Sequence, residues 1–210
     1  MPVLTTTALM VKASKRVDLA GIRTERLLLR AGKKGDLQAF RKWFEDPEAM
    51  KYWSEPVYTR VQQTRDFLDN MIESANNGNL EFAVCLVDPE PEAADRNATT
   101  KKSRKAPKPI VIGLVGIWDE NEVGFIFNRE YWGKGYASEA VRALLEKFWA
   151  EHPSDEALVK ADVDPRNESC LRVLQRLGFV EVGRAEKTYE THIGWCDSVY
   201  LEARKQRPSN

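Results

Sequence analysis

Three features of the chain predict an α+β fold, a mixed and mostly antiparallel sheet flanked by helices. Hydrophobic patterning gives the order β, α, α, three strands, α, β, α, β, β. Three consecutive strands read as an antiparallel run, whereas the later strand–helix–strand unit requires a crossover, and together they make a mixed sheet. The strongest amphipathic helix begins directly after a loop with two glycines, Trp132-Gly133-Lys134-Gly135, which joins a strand to a helix start.

The pattern starts the fold at Thr24, with a Leu-rich first strand over 25–30. Residues 1–23 precede it as a flexible tail. They are Thr-rich and carry Lys12, Lys15 and Arg16 with no acid before Asp18, a composition that organellar presequences share. Gly35 and Asp36 open the first helix, Asp36 as its cap, with Leu37, Phe40 and Phe44 on one face and Pro47 past its end. Trp53-Ser54-Glu55-Pro56 is a connecting loop, because the residue before proline avoids helical geometry. Thr59 and Gln62 form a capping box for a second helix, whose apolar stripe is Val61, Leu68, Met71, Ile72 and Ala75 and whose stop is Gly78.

Strands follow at 81–87, 110–118 and 122–128. Residues 88–109 separate the first two. This stretch is acidic in its first half, basic in its second, and almost without large apolar residues, so it reads as a charged mobile insertion unable to offset its own ordering entropy. The helix over 136–150 keeps Ala137, Ala140, Val141, Leu144, Leu145 and Phe148 on one face. A strand over 157–163, a helix over 168–177 ended by Gly178, and strands over 179–183 and 198–203 complete one domain at 24–204, with 205–210 as a C-terminal tail.

Composition narrows the function classes. With 210 residues the chain can bury a single core, and its 32 basic and 32 acidic side chains cancel, which argues against a dedicated nucleic-acid binder. Cys85, Cys170 and Cys196 are an odd number without CxxC spacing, as for reduced thiols in a cytoplasmic protein. Two distant histidines, His152 and His192, give no metal cluster, and no metal is expected. No apolar run approaches the roughly 18 residues of a membrane span, so no membrane partner is expected.

The loop from Trp132 to Ser138 carries the chemistry. Glycines let an anion approach main-chain N–H groups, and the unpaired N–H groups of a first helical turn, with the helix dipole, favour a phosphate. Lys134 adds a positive charge. The spacing is neither GxxxxGK[ST] nor GxGxxG, which removes the common nucleotide loops.

These residues resemble the coenzyme A loop of the GNAT N-acetyltransferase superfamily, [QR]-x-x-G-x-[GA], with Trp132 in the Gln/Arg position, Gly135 at the glycine and Ala137 at the last small position. The tryptophan, with Tyr136-Ala137 and Glu139-Ala140, is similar to the branch of ribosomal-protein N-terminal alanine acetyltransferases. Asn167 to Phe179 (NESCLRVLQRLGF) resembles that family's helix after the fifth strand, and TERLLLR with YWSEP resembles its first strand and acceptor-side loop.

The resemblance implies an acetyl-CoA-dependent N-acetyltransferase, in which an amine attacks directly within a ternary complex. Strands 122–128 and 157–163 would splay apart to admit the pantetheine arm. Gly133, Lys134, Gly135, Tyr136, Ala137 and Ser138 would hold the pyrophosphate, main-chain donors at Phe125, Ile126 and Phe127 the pantetheine or thioester, and Asn167 the pantetheine or the helix cap. Glu122 is the first candidate for the base that takes the amine proton, with Glu120 as its substitute; the competing reading leaves both as hairpin-tip carboxylates in water. Cys170 stands where the branch often has a serine that assists thiolate departure, or is a buried small residue. Tyr189 and Tyr200 are further acids or packing residues. Trp53 and Glu55 fall on the acceptor side, where an aromatic beside a carboxylate attracts an ammonium. Trp195 and Asp197 read as structural. Three functions remain distinct: an acetyltransferase acting on a small amine or a peptide N-terminus, a catalytically silent acyl-CoA-binding or sensing domain, and a phosphate-binding module unrelated to coenzyme A. An exposed edge at the last strands would support a homodimer.

Overall fold

The structure is a computed structural model, and it describes residues 21–77, 79–87, 109–154 and 156–205. The tail through residue 20, Gly78, most of the charged insertion and the C-terminal tail from 206 lie outside the described residues, together with the presequence and insertion readings attached to them.

Leucine-rich residues near the start form a hairpin rather than one strand. β1 (Ile22–Arg23) pairs antiparallel with β2 (Leu27–Arg30), so the fold begins before Thr24. Thr24 makes the corner, its N–H and hydroxyl both reaching the Leu27 carbonyl. Helix α1 (Leu37–Phe44) follows a 3-10 turn at Lys34–Asp36. Asp36 occupies the cap position, but its carboxylate does not cap α1. It accepts from the Lys33 N–H at 2.9 Å and from both guanidinium arms of Arg30 at 2.7 and 2.8 Å.

Helix α2 (Val61–Asn76) buries Thr64, Leu68, Met71 and Ala75, while Val61 is exposed. Its capping residue is Gln63, one position later than the sequence pattern suggests. The Gln63 amide oxygen accepts from the N–H groups of Thr59 and Arg60 at 3.1 and 3.0 Å.

Strands β3 (Leu80–Leu86), β4 (Ile110–Ile117) and β5 (Val123–Phe127) extend the sheet in the antiparallel order β1-β2-β3-β4-β5. Helix α3 (Tyr136–Glu151), strand β6 (Leu158–Val163) and helix α4 (Glu168–Arg176) lead to β7 (Val180–Thr191) and β8 (Gly194–Arg204). The last two strands form one long hairpin, twice the expected length. β8 lies between β6 and β7, so the strand–helix–strand unit does not close on adjacent strands.

Two apolar clusters hold the layers together. Phe40, Trp43, Phe44, Met50, Leu68 and Met71 of the α1–α2 region pack on Ala83, Leu114 and Ile126. On the other face, Ala140, Val141, Leu144, Leu145 and Phe148 of α3 cover β2 to β5 and reach Val159, Ala161 and Val163 of β6. That second cluster spans the break between the two sheets, which among the described residues are bridged only by the parallel pair Glu122 and Lys160. Beyond that bridge, β5 and β6 separate into a cleft.

Candidate active site

The loop before α3 is shaped to present backbone N–H groups. Asn128 Oδ1 accepts from the Glu130 N–H at 3.1 Å and starts one 3-10 turn, Arg129–Tyr131. The Trp132 indole N–H then donates to the Phe127 carbonyl at 2.8 Å, fastening the loop to the end of β5. Gly133 (φ +71°) and Gly135 (φ +80°) are left-handed, where a Cβ is strained. The first α3 hydrogen bond runs from the Glu139 N–H to the Gly135 carbonyl, 3.1 Å. The N–H groups of Tyr136, Ala137 and Ser138 therefore have no acceptor within the helix. A cavity of about 420 Å³ opens on them, walled by Gly133, Gly135, Tyr136, Ala137, Ser138 and Asn167 among others. The helix dipole adds positive potential there.

Arg26, in the corner between β1 and β2, braces this loop from behind. Its guanidinium donates to the Lys134 carbonyl at 3.0 Å, pairs with Glu139 at 2.7 Å and lies 4.8 Å from the Tyr136 ring centre. Glu139 also accepts from the Arg26 N–H (2.9 Å) and the Thr24 hydroxyl (2.5 Å). Burial raises the Glu139 carboxyl, and these donors outweigh it, holding it below its ordinary value. The Lys134 ammonium is turned outward onto the Glu130 carbonyl (3.0 Å) and the Tyr131 ring. Arg172 and Arg176 of α4 instead bring positive charge to the cavity wall. They are one helical turn apart, a spacing that the sequence shows but that any solvated helix face shares.

Strand β5 offers a free edge to the cleft. The Asn128 N–H bonds the Ile112 carbonyl and the Trp118 N–H bonds the Glu122 carbonyl, both 2.9 Å. Antiparallel alternation then pairs Ile126 with Leu114 and turns the N–H groups of Phe125 and Phe127 away from β4. Of the three donors expected there, Ile126 has its main chain occupied within the sheet, and its buried side chain belongs to the core.

The second cavity, about 510 Å³, shares Tyr52, Trp53, Phe125, Asn167 and Cys170 with the first. Its walls also carry Glu55, Trp118, Asp119, Glu122, Asp162 and Tyr189. Glu122 sits at the start of β5, exposed as a residue. Its carboxyl is raised above its ordinary value by partial burial first, then by the carboxylates of Asp162 and Glu120, against the pull of Lys160. Glu120 is held outward on Lys160 at 3.0 Å, with its side chain 81% exposed. It does not line the cavity wall as Glu122 does. Asp162 is also raised, by burial and by Asp164, with the Ser198 hydroxyl opposing.

Trp53 and Glu55 both reach this cavity, and Tyr58 donates its hydroxyl to Glu55. Trp53 meets Trp118 edge-on, ring centres 6.3 Å apart. Trp118 lies over a pair of facing glycines, Gly116 and Gly124; a Cβ on either would stand 2.6 or 2.9 Å from the indole. Asn167 caps α4, its Oδ1 accepting from the Cys170 N–H at 3.2 Å and the Ser169 hydroxyl at 3.1 Å. Cys170 is flanked by both cavities, and burial pushes its thiol up to about 12. Tyr189 lines the second cavity and its phenol is raised by burial first, then by Cys196, Asp164 and Asp162. Tyr200 is on the exposed side of β8. Asp197 accepts from the Lys187 N–H (2.9 Å) across an irregular stretch of β7, a structural task. Among the described residues no helix is long and apolar enough to cross a membrane.

A split sheet with a free strand edge, and a cavity that opens on a glycine-rich helix start at its mouth, define an α+β domain with one cleft between β5 and β6. This chain belongs to the acetyltransferase (GNAT) family, whose domain model matches residues 26–180. It is 32% identical over 184 residues to an uncharacterized N-acetyltransferase, p20, of Bacillus licheniformis, covering 85% of this chain and 92% of that one. A solved GNAT-family acetyltransferase from Bacillus anthracis matches with a TM-score of 0.67 at 28% identity, over 87% of this chain and 97% of its own. The ribosomal-protein-S5-alanine acetyltransferase of Vibrio fischeri shares the fold, with a TM-score of 0.61 at 21% identity over 90% of this chain and 98% of its own. The chain is an acetyl-CoA-dependent acyltransferase acting on amines.

Proposed function

We propose that this protein transfers the acetyl group of acetyl-CoA to a primary amine by direct attack in a ternary complex. The observation that carries this reading is the meeting of the two cavities at Phe125, Asn167 and Cys170, where β5 leaves β6. Acetyl-CoA supplies a thioester whose carbonyl carbon an amine can attack and whose thiolate can leave. The N–H groups of the loop up to Ser138 hold the pyrophosphate, with Arg172 and Arg176 as nearby countercharge. The outward N–H groups of Phe125 and Phe127 hold the pantetheine arm and face the oxygen on which negative charge grows.

Glu122 takes the proton from the incoming ammonium, directly or through water, and its raised carboxyl brings it nearer to the amine's own affinity for protons. Trp53 and Glu55 receive the acceptor. Cys170 keeps its proton: a thiol near 12 binds it more tightly than an ordinary thiolate near 8.5, so Cys170 supports the departing sulfur only as an S–H donor. The same tightly held proton removes it as a nucleophile.

Thiol release from acetyl-CoA in the presence of a primary-amine panel tests the proposal. Amine-dependent release is expected, with Glu122→Gln lowering kcat/KM by about 100-fold and leaving CoA affinity within about twofold. Tight CoA binding without release on a broad panel would instead establish the silent acyl-CoA-binding domain.

A further inference from the structure

The acceptor cavity carries far more negative charge than a single base requires. Glu55, Asp119, Glu122 and Asp162 all belong to its wall, and among the described residues no lysine or arginine does. Neighbouring cations are already engaged: Lys160 on Glu120 at 3.0 Å, and Arg166 on the buried Asp164 at 2.6 Å. Among the described residues, neither Glu122 nor Asp162 has an ion-pair partner within 4 Å. Asp162 Oδ1 is also buried without a hydrogen-bond partner among them. Unpaired carboxylates in a half-buried wall are costly, and a bound cation removes that cost.

The rest of the wall suits the same ligand. Trp118 packs against Gly116 and Gly124, and Trp53 stands edge-on to it, so an aromatic corner shares the cavity wall with the carboxylates. Aromatic faces beside acids attract ammonium groups and repel carboxylates.

Resting on the acetyltransferase reading, we propose that the acceptor is a polycationic amine, with Asp162 as the residue that selects it. One ammonium approaches Glu122 and gives up its proton there. The nitrogen then bonds to the acetyl carbon as the C–S bond breaks; the electron pair leaves on the coenzyme A sulfur, which takes up the second proton of the nitrogen, and the product is a neutral amide. A second ammonium keeps its charge and balances Asp162 and the outer carboxylates, Glu55 and Asp119. A zwitterionic acceptor would bring a carboxylate against the same wall with no cation to meet it. The chemistry is shared by linear diamines and amino sugars, and the experiment separates those two sources.

The test compares thiol release from acetyl-CoA with 1,4-diaminobutane, butylamine and 4-aminobutanoate, which carry the same reacting amine on the same chain, and with an aminoglycoside. The full chain is used throughout. We expect kcat/KM for 1,4-diaminobutane or the aminoglycoside to exceed that for butylamine by about tenfold or more, with 4-aminobutanoate lowest. Whichever of the two is preferred identifies the source. Asp162→Asn should remove most of that advantage by raising KM about tenfold, with kcat within about threefold, and Asp162→Glu should recover part of it. Equal use of butylamine, or better use of 4-aminobutanoate, overturns the proposal and leaves the acetyltransferase reading standing. So does a loss in Asp162→Asn that falls equally on all acceptors through kcat. Absence of release with every amine, while acetyl-CoA binds, overturns both.

Discussion

Glu122 works against three neighbours at once. Partial burial, Asp162 and Glu120 raise its carboxyl above the ordinary value, while Lys160 lowers it. A base acts only when deprotonated, and a raised carboxyl stays protonated to higher pH. Activity should therefore fall on the acid side at a pH above that of an ordinary glutamate, as the medium passes down through the raised value. Removing the Asp162 charge removes one of the raising causes. The pH profile of kcat/KM for Asp162→Asn should then show its acid limb shifted to lower pH, and Glu122→Gln should lose the limb altogether. A limb unmoved in both variants would show that Glu122 is a solvated hairpin carboxylate. Glu122 could be read from its place before a strand that enters the loop. Asp162 could not: an acid in an alternating strand looks like any solvent-facing residue until β6 is set beside β5.

At the scale of elements, the anion loop depends on a partner over 100 residues earlier in the chain. Arg26 joins the β1–β2 corner to the Lys134 carbonyl and to Glu139 in the first turn of α3. Because the Arg26 side chain is partly exposed, its value lies in fixing the loop's shape more than in the ion pair itself. Arg26→Ala should weaken CoA binding by roughly tenfold in a calorimetric titration, with kcat at saturating donor within about threefold. Arg26→Lys should recover little, since an ammonium cannot reproduce the planar fork that serves both the carbonyl and the carboxylate. If Arg26→Ala binds CoA normally, the loop holds its shape unaided. The loop's own glycines, small residues and helix start were legible because their meaning is local. TERLLLR announced a strand, yet nothing in its spacing tells that Thr24 and Arg26 reach Glu139.

Over the whole molecule, the cavity proposed to hold the donor comes mainly from β5, its loop and the starts of α3 and α4, whereas the one proposed to hold the acceptor is gathered from distant places. Trp53 comes from the loop after α1, Trp118 from the end of β4, Asp162 from β6 and Tyr189 from β7. This separation explains why the residues around the first cavity are mostly legible in the chain and most of the second cavity's wall is not. The final hairpin is underestimated for a different reason: the partly buried positions of β7, Gly183, Ala185, Tyr189 and Thr191, alternate with exposed ones but carry no large aliphatic side chain, so the strand period is faint in the sequence. The two halves should therefore fail separately. A methyl group on Gly124 would lie 2.9 Å from the Trp118 ring, and Trp118 must shift, taking with it the edge contact to Trp53. Overpacking of this kind costs about 1–3 kcal/mol, which lowers Tm by a few degrees in a chain of this size. Gly124→Ala should raise KM for the amine several-fold, while the CoA dissociation constant changes less than about twofold. Equal losses of amine and CoA affinity would mean that the aromatic corner supports the whole cleft, and the division into donor and acceptor halves would fall with it.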